Sequence, residues 1–202
     1  MRQMFLFLTR ILSMVAFPAM GLVAAAHQPF FTLLLSEKWQ LTGELFMIAA
    51  PAAALQTVTS LCGTFMLIAG SANTQLRSTI EYFVVMLTAL LATVSFGLKW
   101  VVIGYSLSVF LYLPRSLYLI LPRLECGMWA YVRVMILPAA VTLFCIFLYA
   151  KADLNMEMND WMRIGLAFSL GVFALGAGAL LQFRYLLSEI ALLRENWAAA
   201  PA

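Results

Sequence analysis

Six long apolar stretches, separated by short polar loops, fill this chain nearly from end to end: residues 11–35, 45–69, 80–98, 101–121, 134–150 and 164–183. A helix needs about 20 mostly apolar residues to cross a hydrocarbon core about 30 Å thick. The first four stretches meet that length directly, and the last two reach it with their flanks. In lipid every backbone N–H and C=O must be paired within the protein, so each stretch is either a helix or a barrel strand. The runs are continuous and show no period of two, which excludes a barrel. With 64% hydrophobic and 10% charged residues in 202, no soluble fold accounts for them. The expected fold is an all-α, polytopic membrane bundle of six transmembrane helices over residues 1–183. The longest polar segment, residues 151–163, is too short for a second domain. Residues 184–202 mix Leu186, Leu187, Ile190, Leu192 and Leu193 with Arg184, Glu189, Arg194 and Glu195. That pattern predicts an amphipathic tail on the cytoplasmic surface.

Charge placement predicts the orientation. If the N-terminus is cytoplasmic, the inside segments hold Arg2, Arg10, Arg77, Arg115, Arg123, Arg133, Arg184 and Arg194. The outside segments then hold Lys38, Lys99, Lys151 and Arg163. The excess satisfies the positive-inside rule, and six spans return the C-terminus to the cytoplasm. Arg10 and Arg77 read as border residues, and Glu81 as the i,i+4 partner of Arg77. The N-terminus mimics a signal peptide: Arg2 and Arg10 precede an apolar run ending at Ala24, Ala25 and Ala26. The run continues through Phe30, Phe31 and residues 33–35, so it is expected to remain and span. Trp39, Tyr82, Trp100, Tyr105, Trp129, Tyr131, Trp161 and Tyr185 sit at the borders and read as interfacial anchors.

Within the spans, Pro18, Pro51, Pro114 and Pro138 predict kinks, a pattern that suits rocking helices and is also common in membrane helices generally. The second stretch carries a polar face, Gln56, Thr59, Ser60 and Gly63, at helical spacing. That face serves either interhelical hydrogen bonding or the lining of a wet cavity. In the last stretch Gly171, Ala174, Gly176 and Gly178 read as packing positions, with Ala174 and Gly178 at small-xxx-small spacing.

The residues give little support for enzyme chemistry or cofactors. There is one histidine, His27, and it reads either as an intramembrane functional group or as an interfacial residue. Asp153, Glu157 and Asp160 share the last outer loop, on the wrong side for a cytoplasmic sugar nucleotide. Cys62, Cys126 and Cys145 have no ligand or disulfide spacing and read as packing. A net charge of +3 gives no argument for nucleic acid. Arg115, next to Pro114, has two readings: it snorkels to the inner surface, or it presents a guanidinium to a phosphate.

Four short motifs resemble one family. FPAMGLVAAA (residues 17–26) and LLLSEKW (residues 33–39) are similar to a segment of the polysaccharide transporters. These are oligosaccharide flippases of the multidrug/oligosaccharidyl-lipid/polysaccharide exporter superfamily. Ala69-Gly70-Ser71-Ala72-Asn73 resembles the turn that follows, and Lys99-Trp100 with Gly104-Tyr105-Ser106 resembles the start of a later helix. The resemblance implies helices nine to fourteen of a fourteen-helix protein, a bacterial inner-membrane location and transport of a lipid-linked oligosaccharide by alternating access. It further implies that Met1 is internal to a longer reading frame, or that the gene is truncated. Implied partners are membrane lipids, an opposing N-terminal lobe and polysaccharide polymerase or export proteins. No residue matches a substrate motif of the family, so the candidate substrate-binding residues, Arg115, Gln56 and Ser60, come from their depth in the spans. The rival readings are a non-transporting structural subunit of a polysaccharide assembly complex and a membrane-bound transferase.

Overall fold

The computed structural model describes residues 1–155 and 158–198, with side chains as far as residue 182. Among these residues all regular structure is helical: α1 (Arg2–Ala25), α2 (His27–Leu35), α3 (Gln40–Ile68), α4 (Ala72–Thr93), α5 (Leu98–Ile120), α6 (Met128–Asn155) and α7 (Asp160–Ala198). Six helical segments are long and apolar enough to cross a membrane. The protein is an all-α, multi-pass membrane bundle.

The first span differs from the sequence expectation. Helix α1 starts at Arg2, before the apolar run, and stops at Ala25. Pro29 explains the stop: it has no N–H to offer the Ala25 carbonyl, and its ring crowds that carbonyl. The chain leaves helical geometry at Ala26 (φ −94°, ψ 24°) and resumes as α2. By contrast, Pro18, Pro51, Pro114 and Pro138 all lie inside continuous helices. The loop between the last two spans is also shorter than its polar composition suggests, because α6 runs to Asn155 and α7 begins at Asp160. Arg163 meets Asp153 across that loop at 2.9 Å, so two groups that read as loop charges form an ion pair. Beyond residue 183 the backbone continues as α7; the side-chain pattern of the expected tail lies outside the described residues.

Helix α1 is the centre of the bundle and packs on α3, α6 and α7, while α3 leads on to α5 and α5 to α4. Phe5, Cys62, Phe65, Met66, Leu117, Ile120 and Tyr131 build the largest core, at the end of the bundle where the chain starts. On α7, Ala174 is buried with Leu22 and Cys145, and a side chain at Gly178 would meet Met14 at 3.3 Å. The small-residue stripe therefore packs α7 onto α1, except for Gly176, which has nothing within 4 Å. Helix α4 sits at the rim, and Ser78 is its one buried residue.

Two expectations about polar groups are corrected. Arg10, expected as a border charge, turns inward: it is buried within α1, and its Nη1 donates to Gln182 Oε1 at 3.0 Å. Tyr131 is not an interfacial anchor, being 1% exposed and stacked on Phe5 at 5.7 Å. Trp39, Trp100, Trp129 and Trp161 are exposed, as anchors must be.

The turn between α3 and α4 has a specific cause. Gly70 holds φ +70°, Ser71 N donates to Met66 O at 3.0 Å, and Gly70 N donates to Leu67 O at 3.0 Å. This is a Schellman ending, which needs a left-handed residue after the helix. Gly70→Ala is expected to cost about 1–2 kcal/mol and to lower the melting temperature in detergent by about 4 °C. An unchanged melting temperature would contradict this account of the turn.

Candidate functional site

The polar face of α3 opens onto a cavity. Gln56, Thr59, Ser60 and Gly63 on α3, Gln75, Ser78, Thr79 and Tyr82 on α4, and Tyr112 and Ser116 on α5 enclose about 270 Å³. The walls come from the C-terminal half of α3, the N-terminal half of α4 and the C-terminal half of α5. The cavity therefore lies in the half of the bundle nearest Arg77, Arg115 and Arg123. Both readings of the α3 stripe find a counterpart: its residues line the cavity, and Gln56 also takes part in an interhelical hydrogen bond.

Hydrogen bonds orient the walls. Tyr105 donates its hydroxyl to Gln56 Oε1 across α5 and α3. The Tyr112 hydroxyl donates to Ser78 O at 2.7 Å and accepts from Ser78 Oγ at 2.8 Å, tying α5 to α4. Ser60 gives its proton to Thr57 O at 2.7 Å and Thr59 to Gln56 O at 3.2 Å, which leaves their lone pairs as acceptors. The rings of Tyr82 and Tyr112 lie 5.3 Å apart. The Tyr82 hydroxyl is buried without a well-formed hydrogen bond among the described residues. Ser108 lies beside it; its Oγ gives its own proton to Tyr105 O at 2.7 Å and keeps its lone pairs as acceptors.

The three candidate residues do not converge. Gln56 and Ser60 line this cavity. Arg115 lies beyond Tyr112, in an open groove between α4 and α5. Its Nε and Nη2 donate to Glu81 at 3.1 and 3.3 Å. Glu81 also accepts from Arg77 Nε at 2.9 Å, so the expected i,i+4 pair is one half of a three-residue bridge. None of the residues lining the cavity is charged.

Reading the sequence stretch by stretch missed the walls from α4 and α5, although the signal was available. Gln75, Ser78, Thr79 and Tyr82 recur at i, i+3, i+4 and i+7, and Tyr105, Ser108, Tyr112 and Ser116 share one face of α5. Tyr82 and Tyr105 belong to these faces and do not serve as interfacial anchors. His27 has a local role: its Nδ1 donates to Ala24 O at 2.9 Å, satisfying a carbonyl at the break before α2.

Among the described residues no group of three or more His, Cys, Asp or Glu could hold a metal ion. The three cysteines are buried, and burial pushes the thiol of Cys126, which lies between spans, above its ordinary range. The chain matches no family model, no curated protein and no solved structure.

Proposed function

We propose that the protein acts in flipping a lipid-linked oligosaccharide across a bacterial inner membrane, in exopolysaccharide or lipopolysaccharide biosynthesis, with both termini in the cytoplasm. The observation that carries the reading is the uncharged cavity lined by amide and hydroxyl groups inside an apolar bundle. Sugar hydroxyls both donate and accept, as the Gln, Ser, Thr and Tyr groups of the walls do. Hydroxyls entering from the membrane lose water and need such partners. The motif resemblance at residues 17–26, 33–39, 69–73 and 99–106 points the same way, and so does the excess of arginine at the end of the bundle nearest the cavity. Alternating access requires an opposing helical lobe, and the rim helix α4, with only Ser78 buried, has a face free to meet one.

The test is a Gln56→Leu, Ser60→Ala double variant in the host chromosome. Two lost hydrogen bonds of about 1 kcal/mol each weaken sugar binding about thirtyfold. Surface polysaccharide is expected to fall while the protein remains in the membrane at its normal level. Normal polysaccharide with normal protein would contradict the reading.

A second reading, a structural subunit that does not transport, draws support from the pairing of Arg115 with Glu81, which leaves the cavity without a cation for a pyrophosphate. On that reading the double variant would leave polysaccharide intact, and the protein would co-purify with assembly proteins at fixed stoichiometry.

A further inference from the structure

The groove outside the cavity has a different chemistry. It lies between α4 and α5, encloses about 600 Å³ and is lined by Ile80, Glu81, Val84, Val85, Leu111, Tyr112 and Arg115. At the end nearest the α3–α4 turn, Arg77 and Arg115 flank Glu81. Arg123, on the turn after α5, reaches Thr74 Oγ1 at 2.8 Å and adds a third guanidinium to the same end of the hairpin. Three arginines against Glu81 and Glu125, the latter exposed on the same turn as Arg123, leave this end with a net charge of about +1.

The arginines keep donors open. Arg77 meets Glu81 through Nε and is 72% exposed, and Arg115 is 40% exposed with its Nη1 outside the two bonds to Glu81. Farther into the bilayer the groove is apolar. Ile80 and Val84 are exposed on α4 and Leu111 on α5. Arg115 precedes the end of α5 at Ile120 by five residues, roughly 8 Å along the axis, close enough for its long side chain to reach toward a headgroup layer at that end.

A row of guanidinium donors above an exposed apolar trough complements a molecule with a phosphate at one end and hydrocarbon at the other. We propose that this groove binds an anionic glycerophospholipid. Its phosphate sits on Arg77 and Arg115, and one acyl chain lies over Ile80, Val84 and Leu111. Glu81 holds the two arginines in register and sets the net charge that the headgroup meets. The site is separate from the cavity and does not depend on what the cavity carries.

The experiment uses the full chain, delipidated in detergent and returned to nanodiscs containing phosphatidylglycerol and phosphatidylcholine, with retained lipid counted by native mass spectrometry. Arg77 and Arg115 with Glu81 between them carry a net charge of +1, which predicts about a fivefold preference for phosphatidylglycerol. Arg77→Gln with Arg115→Gln should abolish that preference, and Lys38→Gln with Lys151→Gln at the opposite end should leave it unchanged. Glu81→Gln separates a lipid site from a merely structural ion pair: it frees both arginines, so retention should hold or rise. Loss of phosphatidylglycerol in Glu81→Gln, or equal retention in the double arginine variant and the wild type, would overturn the proposal. So would preferential retention of an added polyprenyl phosphate over phosphatidylglycerol.

Discussion

Replacing Gly104 with leucine is expected to destabilise the protein by about 3 kcal/mol or more and to splay α4 from α5. A Cβ at that position would stand 2.7 Å from Thr93 Oγ1 and 3.1 Å from the Ala89 carbonyl oxygen. Thr93 cannot simply turn away, because its hydroxyl is bonded to Ala89 O at 2.8 Å. The Ala89 carbonyl is backbone, so making room means moving α4 itself. The Ser78–Tyr112 contacts farther along the hairpin then stretch, and the cavity and the groove on either side of Tyr112 both change shape. Melting in detergent and limited proteolysis of the α4–α5 hairpin should both register the change. Gly176→Leu, at a site with nothing within 4 Å, is the control and should melt like the wild type. Equal melting of the two variants would show that the hairpin does not depend on this close approach.

Phe5→Ala is expected to open the core at the arginine-rich end. Phe5 is fully buried, with its ring 5.2 Å from Phe65 and 5.7 Å from Tyr131, so one side chain joins α1, α3 and α6. Removing a buried phenyl group costs about 3–5 kcal/mol. Lipid supplies less of the transfer part of that cost than water does, so a loss of about 3 kcal/mol is the expectation. Cys62 and Cys126 belong to the same cluster and report on it directly. If labelling needs the cluster to open, maleimide should modify Cys126 on the order of a hundredfold faster in Phe5→Ala than in the wild type. An unchanged labelling rate would mean that Phe5 does not hold the cluster closed.

The reach of the sequence differed between the spans and the site, for physical reasons. Lipid allows almost no backbone choice, so the apolar runs translated directly into six spanning helices. Where a local rule competes with the apolar pattern, composition misled: Pro29 breaks the first span after Ala25, although the hydrophobic run passes through it. Arg10 illustrates the second kind of miss. Position alone makes it a border charge, but Gln182, far away in the sequence, gives it a place inside the bundle. Gln56 and Ser60 were legible because a polar stripe on one helix shows itself by its spacing. Their partners on α4 and α5 carry stripes too, yet only the packing shows that the three stripes meet. Arg115 stands out in the sequence beside Pro114, but its groove and its tie to Glu81 depend on how α5 lies against α4. The family-like glycines also acquire physical roles, Gly70 in a left-handed turn and Gly104 in a close helix approach. Those motifs mark how the helices connect and pack, and the candidate site lies elsewhere.

The central claim is transport of a lipid-linked sugar, and one measurement addresses it most directly. In a strain deleted for this gene, lipid-linked repeat units would be quantified together with the leaflet that holds them, using a membrane-impermeant sugar-modifying reagent on oriented vesicles. Accumulation in the cytoplasmic leaflet, with loss of surface polysaccharide restored by the wild-type gene, is the predicted result. Normal polysaccharide, with repeat units distributed between the leaflets as in the parent strain, would contradict the claim.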